Sequence, residues 1–271
     1  MCNYDNPLQI IKAITLMNNR FMNKVLDGNI PATQTMLRII LKNDKIQVKK
    51  VGIQQWLQNL YGHSTQLDIL AEDEAGRQFN VEVQRNDEGT ATKRARFYSS
   101  ALDMHFLDSG KKYEALPESY VVFITENDVL QEGRPIYNIH RYIDENGSAF
   151  GDGSHIIYVN ASCKDDTPLG KLMQDFACED PYKMHYKELA ERVIYLKTTK
   201  EGERDMTDII ELYAENVAKK AAKKATIKAE RNKSIEFAQS LLAENESVER
   251  TARLTKLPLE EVRALAAKMS A

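Results

Sequence analysis

Two short runs of alternating residues, 65–71 and 78–83, stand on either side of Asp73-Glu74-Ala75-Gly76, and they constrain the fold more than any other feature of the chain. Apolar and polar residues repeating with period two mark half-buried strands, and turn residues between two such runs mark an antiparallel hairpin. With Gly76 closing a three-residue loop, Asp73 pairs with Arg77 and, counting outward, Asp68 falls opposite Glu82. Opposed residues share a face, with β-carbons ~5 Å apart. Glu82 and Gln84 project together, while Val81 and Val83 point the other way into apolar packing. One face of the hairpin therefore gathers two carboxylates and an amide around a single point.

Like charges at that distance repel unless a proton or a cation intervenes, and oxygen-only donors suit a hard ion such as magnesium or manganese rather than zinc. On a phosphodiester, such an ion polarises the scissile phosphate, lowers the pKa of an attacking water and neutralises the leaving oxygen. The spacing alone is weak evidence, because acids on exposed strand faces are common and a short motif recurs by chance. Its weight depends on what surrounds it.

The surrounding pattern is that of an α/β domain. Residues 6–26 and 33–41 carry apolar residues at helical spacing, with Asn6-Pro7 as cap and first-turn proline, and predict two opening helices. After the hairpin, residues 92–107 are rich in helix formers, and residues 120–125, 136–143 and 155–159 read as strands. That order predicts a mixed sheet flanked by helices. After Pro168 the chain reads as helix. At 271 residues and 42% apolar content it can bury a substantial core, with one medium domain, 1–200, and a helical extension, 201–271.

The extension changes in charge along its length. Residues 201–216 hold six acids against Arg204, whereas residues 219–233 hold six lysines and Arg231 against Glu230. A Lys-Ala-rich helix is stable without a ligand, so a solvated helix face is the simpler reading of the basic stretch. Three short amphipathic helices, 234–242, 247–254 and 259–268, follow in a helix-turn-helix-like arrangement. The last carries Glu260 and Glu261, which favours a packing or dimer element over a DNA-reading helix.

The motifs around the acids resemble a known family. Leu67-Asp68-Ile69, Asn80-Val81-Glu82-Val83-Gln84-Arg85 and Lys93-Arg94-Ala95-Arg96-Phe97-Tyr98-Ser99-Ser100 are similar to the PD-(D/E)XK nuclease family transposases, also called recombination-promoting nucleases. Met36-Leu37-Arg38-Ile39-Ile40-Leu41, Val48-Lys49-Lys50-Val51 and Asn59-Leu60-Tyr61-Gly62-His63-Ser64 extend the likeness over roughly residues 18–200. The resemblance implies a restriction-endonuclease-like core, magnesium-dependent DNA cleavage and a bacterial mobile-element or recombination role. By position it implies Asp68 and Glu82 as metal ligands, with Mg2+, or Mn2+, as the cofactor. Gln84 stands where the signature has lysine, a departure similar to this branch of the superfamily; glutamine can orient water but carries no charge. Arg94-x-x-x-Tyr98 sits where some relatives carry Gln-x-x-x-Tyr, which implies Arg94 for phosphate positioning and Tyr98 for a supporting hydrogen bond. Such nucleases usually place an acid on the first helix. The acids before Asp68 are Asp5, Asp27 and Asp44, of which Asp27 fits best, with Asn19 or Asn23 as substitutes.

Other chemistries have little support. Cys2, Cys163 and Cys178 lack Cys-x-x-Cys spacing, which leaves reduced, mostly buried thiols, and the five histidines show no paired zinc spacing. Trp56, Phe97, Ala101 and Met104 read as core. No apolar run approaches the ~20 residues of a membrane span and residues 1–10 lack a signal-peptide pattern, so a cytoplasmic protein with no membrane partner is expected. With a net charge of -3, contact with DNA must use local basic surface. The expected activity is a metal-dependent DNA endonuclease, with a homodimer as the natural way to cut two strands. The alternative is a nuclease scaffold without catalysis that binds DNA or a partner.

Overall fold

A computed structural model describes residues 7–57, 64–85 and 92–269. Three helices open the chain, not two: α1 (Pro7–Ala13), α2 (Asn19–Leu26) and α3 (Ile30–Leu41). The single run predicted over 6–26 breaks at 14–18, because the Asn18 side chain accepts the Phe21 N–H and starts a new helix there. Leu16 and Met17 are buried within the break, so the apolar pattern passes through it uninterrupted. Helix α3 starts earlier than its periodicity suggests, since Asn29 caps the Ala32 N–H and Pro31 stands in the first turn.

The six strands are β1 (Val48–Leu57), β2 (Thr65–Asp73), β3 (Gln78–Gln84), β4 (Ser119–Thr125), β5 (Ile136–Ile139) and β6 (Ser154–Asn160), in the order β1-β2-β3-β4-β6-β5. The first three are antiparallel, β3, β4 and β6 run parallel, and β5 returns antiparallel to β6. Between β3 and β4 runs α4 (Thr92–Phe106), the crossover helix that a parallel pair requires. Strand β1 has no counterpart in the sequence reading. Its exposed residues fall in blocks, Lys49-Lys50 and Gln54-Gln55-Trp56, so period-two alternation is lost. Strand β5 stops short of 143 because the chain folds back on itself there, with Ile143 N–H donating to Ser148 O and Phe150 N–H to Arg141 O.

Two apolar layers hold the sheet. On one face Phe79, Val81 and Val83 pack with Phe21, Met22, Leu26 and Leu37, and with α5 (Pro168–Ala177) and α6 (Lys187–Thr198) through Leu172, Phe176, Val193 and Leu196. On the other, Val121, Phe123 and Tyr158 pack against Ala95, Tyr98 and Leu102 of α4. Each such fully buried side chain contributes on the order of 2 kcal/mol. The result is a mixed sheet between helical layers, a PD-(D/E)XK nuclease-like α/β fold.

The chain divides into two compact units, Met1–Ile210 and Glu211–Ala271. After the short α7 (Lys200–Asp205) comes α8 (Thr207–Ala243), 37 residues long. The separate helix predicted over 234–242 is the end of α8, since no breaker interrupts the run of helix formers. Helices α9 (Val248–Thr255) and α10 (Leu259–Met269) follow, with Ser247 capping α9 and Lys256 in the left-handed region between them. Arg231 of α8 donates to both Glu261 carboxylate oxygens at 3.1 Å. The described lysines of the basic stretch, among them Lys223, Lys224 and Lys228, are exposed. Among the described residues no helix is long and apolar enough to cross a membrane.

Candidate active site

The site begins with the β2–β3 turn. Asp73 is buried and its Oδ1 accepts the Ala75 and Arg77 N–H groups at 3.1 and 2.9 Å, while Oδ2 holds the Arg77 guanidinium at 2.6 Å. Gly76 adopts φ +80°, a conformation a side chain would strain. This turn fixes the register Glu72↔Gln78, Ala71↔Phe79, Leu70↔Asn80, Ile69↔Val81. Continued by one step, it sets Asp68 opposite Glu82, as the residue count predicts.

At that step the strands part. The β2–β3 ladder ends at Ile69↔Val81; beyond it β2 stays paired with β1 as far as Leu57↔Thr65, and β3 with β4 as far as Gln84↔Thr125. In place of a ladder bond, the Asp68 N–H donates to Glu82 Oε1 at 3.1 Å. A carboxylate thus occupies the fork. On the other side of Asp68, the β1–β2 register sets Gln54 opposite it, between Ile53↔Ile69 and Gln55↔Leu67, and Gln54 has φ +50°.

Helix α2 closes the fork from below. Asn19 Nδ2 donates to Asp68 Oδ2 at 2.8 Å. Of the candidates for the first-helix position, Asn19 is the one at the carboxylate. Asp27 is exposed at the C-terminal cap of α2, roughly 12 Å further along the axis at 1.5 Å per residue. Asn23 is buried one turn beyond Asn19, and Asp5 lies outside the described residues.

Helix α4 closes it from above. Arg94 Nη2 lies 3.5 Å from Glu82 Oε2, and Arg94 donates to the Tyr98 hydroxyl from Nε at 3.0 Å and from Nη2 at 2.6 Å. Its guanidinium also stacks on the Tyr98 ring, 4.9 Å from the centroid. Gln84, half-buried, continues β3 two residues past Glu82. Lys93 and Arg96 are exposed.

Burial pushes the Glu82 carboxyl up to about 9, and the Asp68 charge beside it adds to the rise. Burial also raises Asp68, while hydrogen bonds from Glu82 and Asn19 and the Arg94 charge pull it back. Both carboxyls are thus pushed towards their protonated forms, Glu82 the further of the two. Glu82 Oε2, Asn19 Oδ1, Asn23 Oδ1 and both polar atoms of the Asn80 amide are buried without a hydrogen-bond partner, although Glu82 Oε2 has the Arg94 charge beside it; for the amide atoms that costs about 1–3 kcal/mol each. No group of three or more His, Cys, Asp or Glu side chains converges among the described residues. What converges instead is two carboxylates and an amide, all presenting oxygen, a donor set that fits a hard divalent cation. Asn80, whose polar character continues the Asn80-Glu82-Gln84 alternation, was legible in the sequence as part of this row. Gln54 carried no such signal.

Three residues read as core are on the surface: Trp56 is 61%, Met104 70% and Phe97 37% exposed. The first lies on the outermost strand and the other two on the outer side of α4, where helical spacing marks a stripe without deciding which way it faces. Of the described histidines, His155 is bonded to Glu118 and His185 to Gln174. Cys163 and Cys178 are free and half-buried; Cys2 and His63 lie outside the described residues.

The family model of the PD-(D/E)XK nuclease family transposases matches residues 21–240. The chain belongs to this family. The match reaches past the α/β unit into α8. No curated protein and no solved structure matches the chain.

Proposed function

We propose that this protein is a metal-dependent DNA endonuclease serving recombination or transposition, with magnesium as its ion and manganese as a substitute. The observation that supports the reading is the Asp68–Glu82 pair at the strand fork, with Glu82 buried, Asp68 half-buried, the Asn19 amide on one side and Arg94 on the other. Asp68 and Glu82 would hold the cation through their carboxylate oxygens. When bound, the cation supplies charge neutralisation at the phosphate and a more acidic water. Asn19 fixes the orientation of Asp68 through its 2.8 Å hydrogen bond. Gln84 orients water as donor and acceptor. Arg94 takes the phosphate, held in position by the Tyr98 hydroxyl, and provides the positive charge that Gln84 does not. Residues 1–200 act as the nuclease domain, and the helical extension 201–271 as a packing or dimer element that pairs two sites for two-strand cutting.

The test is cleavage of supercoiled plasmid by the purified protein with Mg2+ or Mn2+. Nicked or linear product from the wild type and none from Glu82→Ala is the expected result; intact plasmid under all conditions refutes the reading. A second reading, a DNA-binding module that has lost catalysis, draws on Asn19 and Gln84 standing where the signature has charged groups. DNA binding that survives loss of both Asp68 and Glu82, with no cleavage by the wild type, selects it.

A further inference from the structure

The upper end of β1 is built in an unusual way. Gln54, Gln55 and Trp56 are exposed in succession, where an ordinary strand alternates, and Gln54 holds a left-handed φ of +50°. For a residue with a side chain that conformation costs on the order of 1 kcal/mol. A strained backbone beside a functional site is informative when it aims a side chain. Two residues later comes the only tryptophan of the chain, 61% exposed on the outermost strand of the sheet. Its register partner is Gln66, two residues from Asp68 along β2. A strand spacing near 4.8 Å and a rise near 3.3 Å per residue put the α-carbons of Trp56 and Asp68 roughly 8 Å apart.

Basic side chains gather at this end of the sheet. Arg94 reaches Glu82 from the first turn of α4, and its neighbours Lys93 and Arg96 are exposed there. Arg85, just past the end of β3, is half-exposed and pairs with Glu126 at 3.7 Å. An indole left in water beside cations and a phosphodiester site matches a nucleic-acid strand, with its anionic backbone and its π-faced bases. Bases inside a continuous duplex already stack on their neighbours, so an indole reaches only an unpaired or extruded one.

We propose that Trp56 is a stacking platform for an unpaired nucleobase next to the scissile phosphate, so that single-stranded or forked DNA is bound in preference to closed duplex. This rests on the nuclease reading of Asp68 and Glu82.

Because the chain has one tryptophan, its emission reports on this residue alone. The protein is titrated in EDTA, and again with Ca2+, with a labelled single strand, a fork and a closed hairpin duplex, following both label anisotropy and tryptophan emission. The expected result is quenching by the single strand and fork but not by the closed duplex. Trp56→Ala weakens single-strand binding about five- to a hundredfold, and Trp56→Phe keeps most of it. Single-strand binding with unchanged emission, equal quenching by closed duplex, or full affinity in Trp56→Ala each overturns the proposal. If the wild type still cuts plasmid with Mg2+ or Mn2+ in those cases, the nuclease reading stands and stacking alone falls. If no DNA is bound and none is cut, both fall.

Discussion

Asn19 and Asp68, 49 residues apart, are joined by a 2.8 Å hydrogen bond from Nδ2 to Oδ2. Helix α2 thus reaches the strand carboxylate with an amide, and the other amide atom, Oδ1, is left buried without a hydrogen-bond partner. An amide can hold a carboxylate by donation and still offer an oxygen to a cation, whereas an acid in this position would repel Asp68 until the cation arrived.

Asn19→Ala removes both functions. Divalent-ion affinity measured by calorimetry is expected to fall about ten- to a hundredfold, with plasmid cleavage falling in step. Asn19→Asp restores an oxygen and adds a charge, so it binds Mn2+ at least as tightly as the wild type. An Asn19→Ala variant with unaltered ion affinity would show that the bond to Asp68 is only structural.

Glu82→Gln mimics the protonated acid of the metal-free protein. Because the Glu82 carboxyl is raised from 4.5 to about 9 in the fold, the folded state binds the proton more tightly than the unfolded chain. The stability tied to that proton is therefore present below pH 4.5 and is lost as the pH rises towards 9. Urea unfolding without metal should show the wild type weakening over that window and Glu82→Gln weakening less. The same variant loses cleavage by about a hundredfold or more.

Arg94→Ala leaves Glu82 Oε2 without its cation at 3.5 Å and Tyr98 without its donor. Cleavage is expected to fall about ten- to a hundredfold, the worth of a charge-assisted hydrogen bond to the phosphate. Arg94→Lys does not rescue it, because an ammonium group lacks the fork that spans Tyr98 and a second partner. Rates of the two variants on plasmid decide the point.

Asp73→Ala acts from a distance. It strips the β2–β3 turn of two N–H acceptors and leaves the Arg77 charge without its partner. A loss of about 3 kcal/mol is expected, lowering Tm by roughly 10 °C in a thermal melt. Fork geometry depends on the same turn, so cleavage below the new Tm should also decline.

What could be read from the sequence was local. The hairpin register followed from four turn residues, and α4 from an unbroken run of helix formers, because in both cases residues close in the chain decide the outcome. Strand β1 was not readable: its polarity follows its place at the sheet edge and the kink at Gln54, which no residue count contains. The break at 14–18 was hidden because Leu16 and Met17 stay buried without being helical. Likewise, the apolar character of Trp56 and Met104 says that they prefer burial, not that something covers them. The choice of Asn19 over Asp27 needed the third dimension, since only packing tells which end of α2 meets the fork.

The fork also turns one backbone proton into a built-in sensor. The Asp68 amide rests on the Glu82 carboxyl and not on a strand carbonyl, so any ligand that draws Glu82 towards itself releases that amide. Its proton chemical shift and its exchange with deuterium should then report site occupancy directly, in the uncut complex and without a label, at a position where an ordinary sheet would keep the proton locked in its ladder.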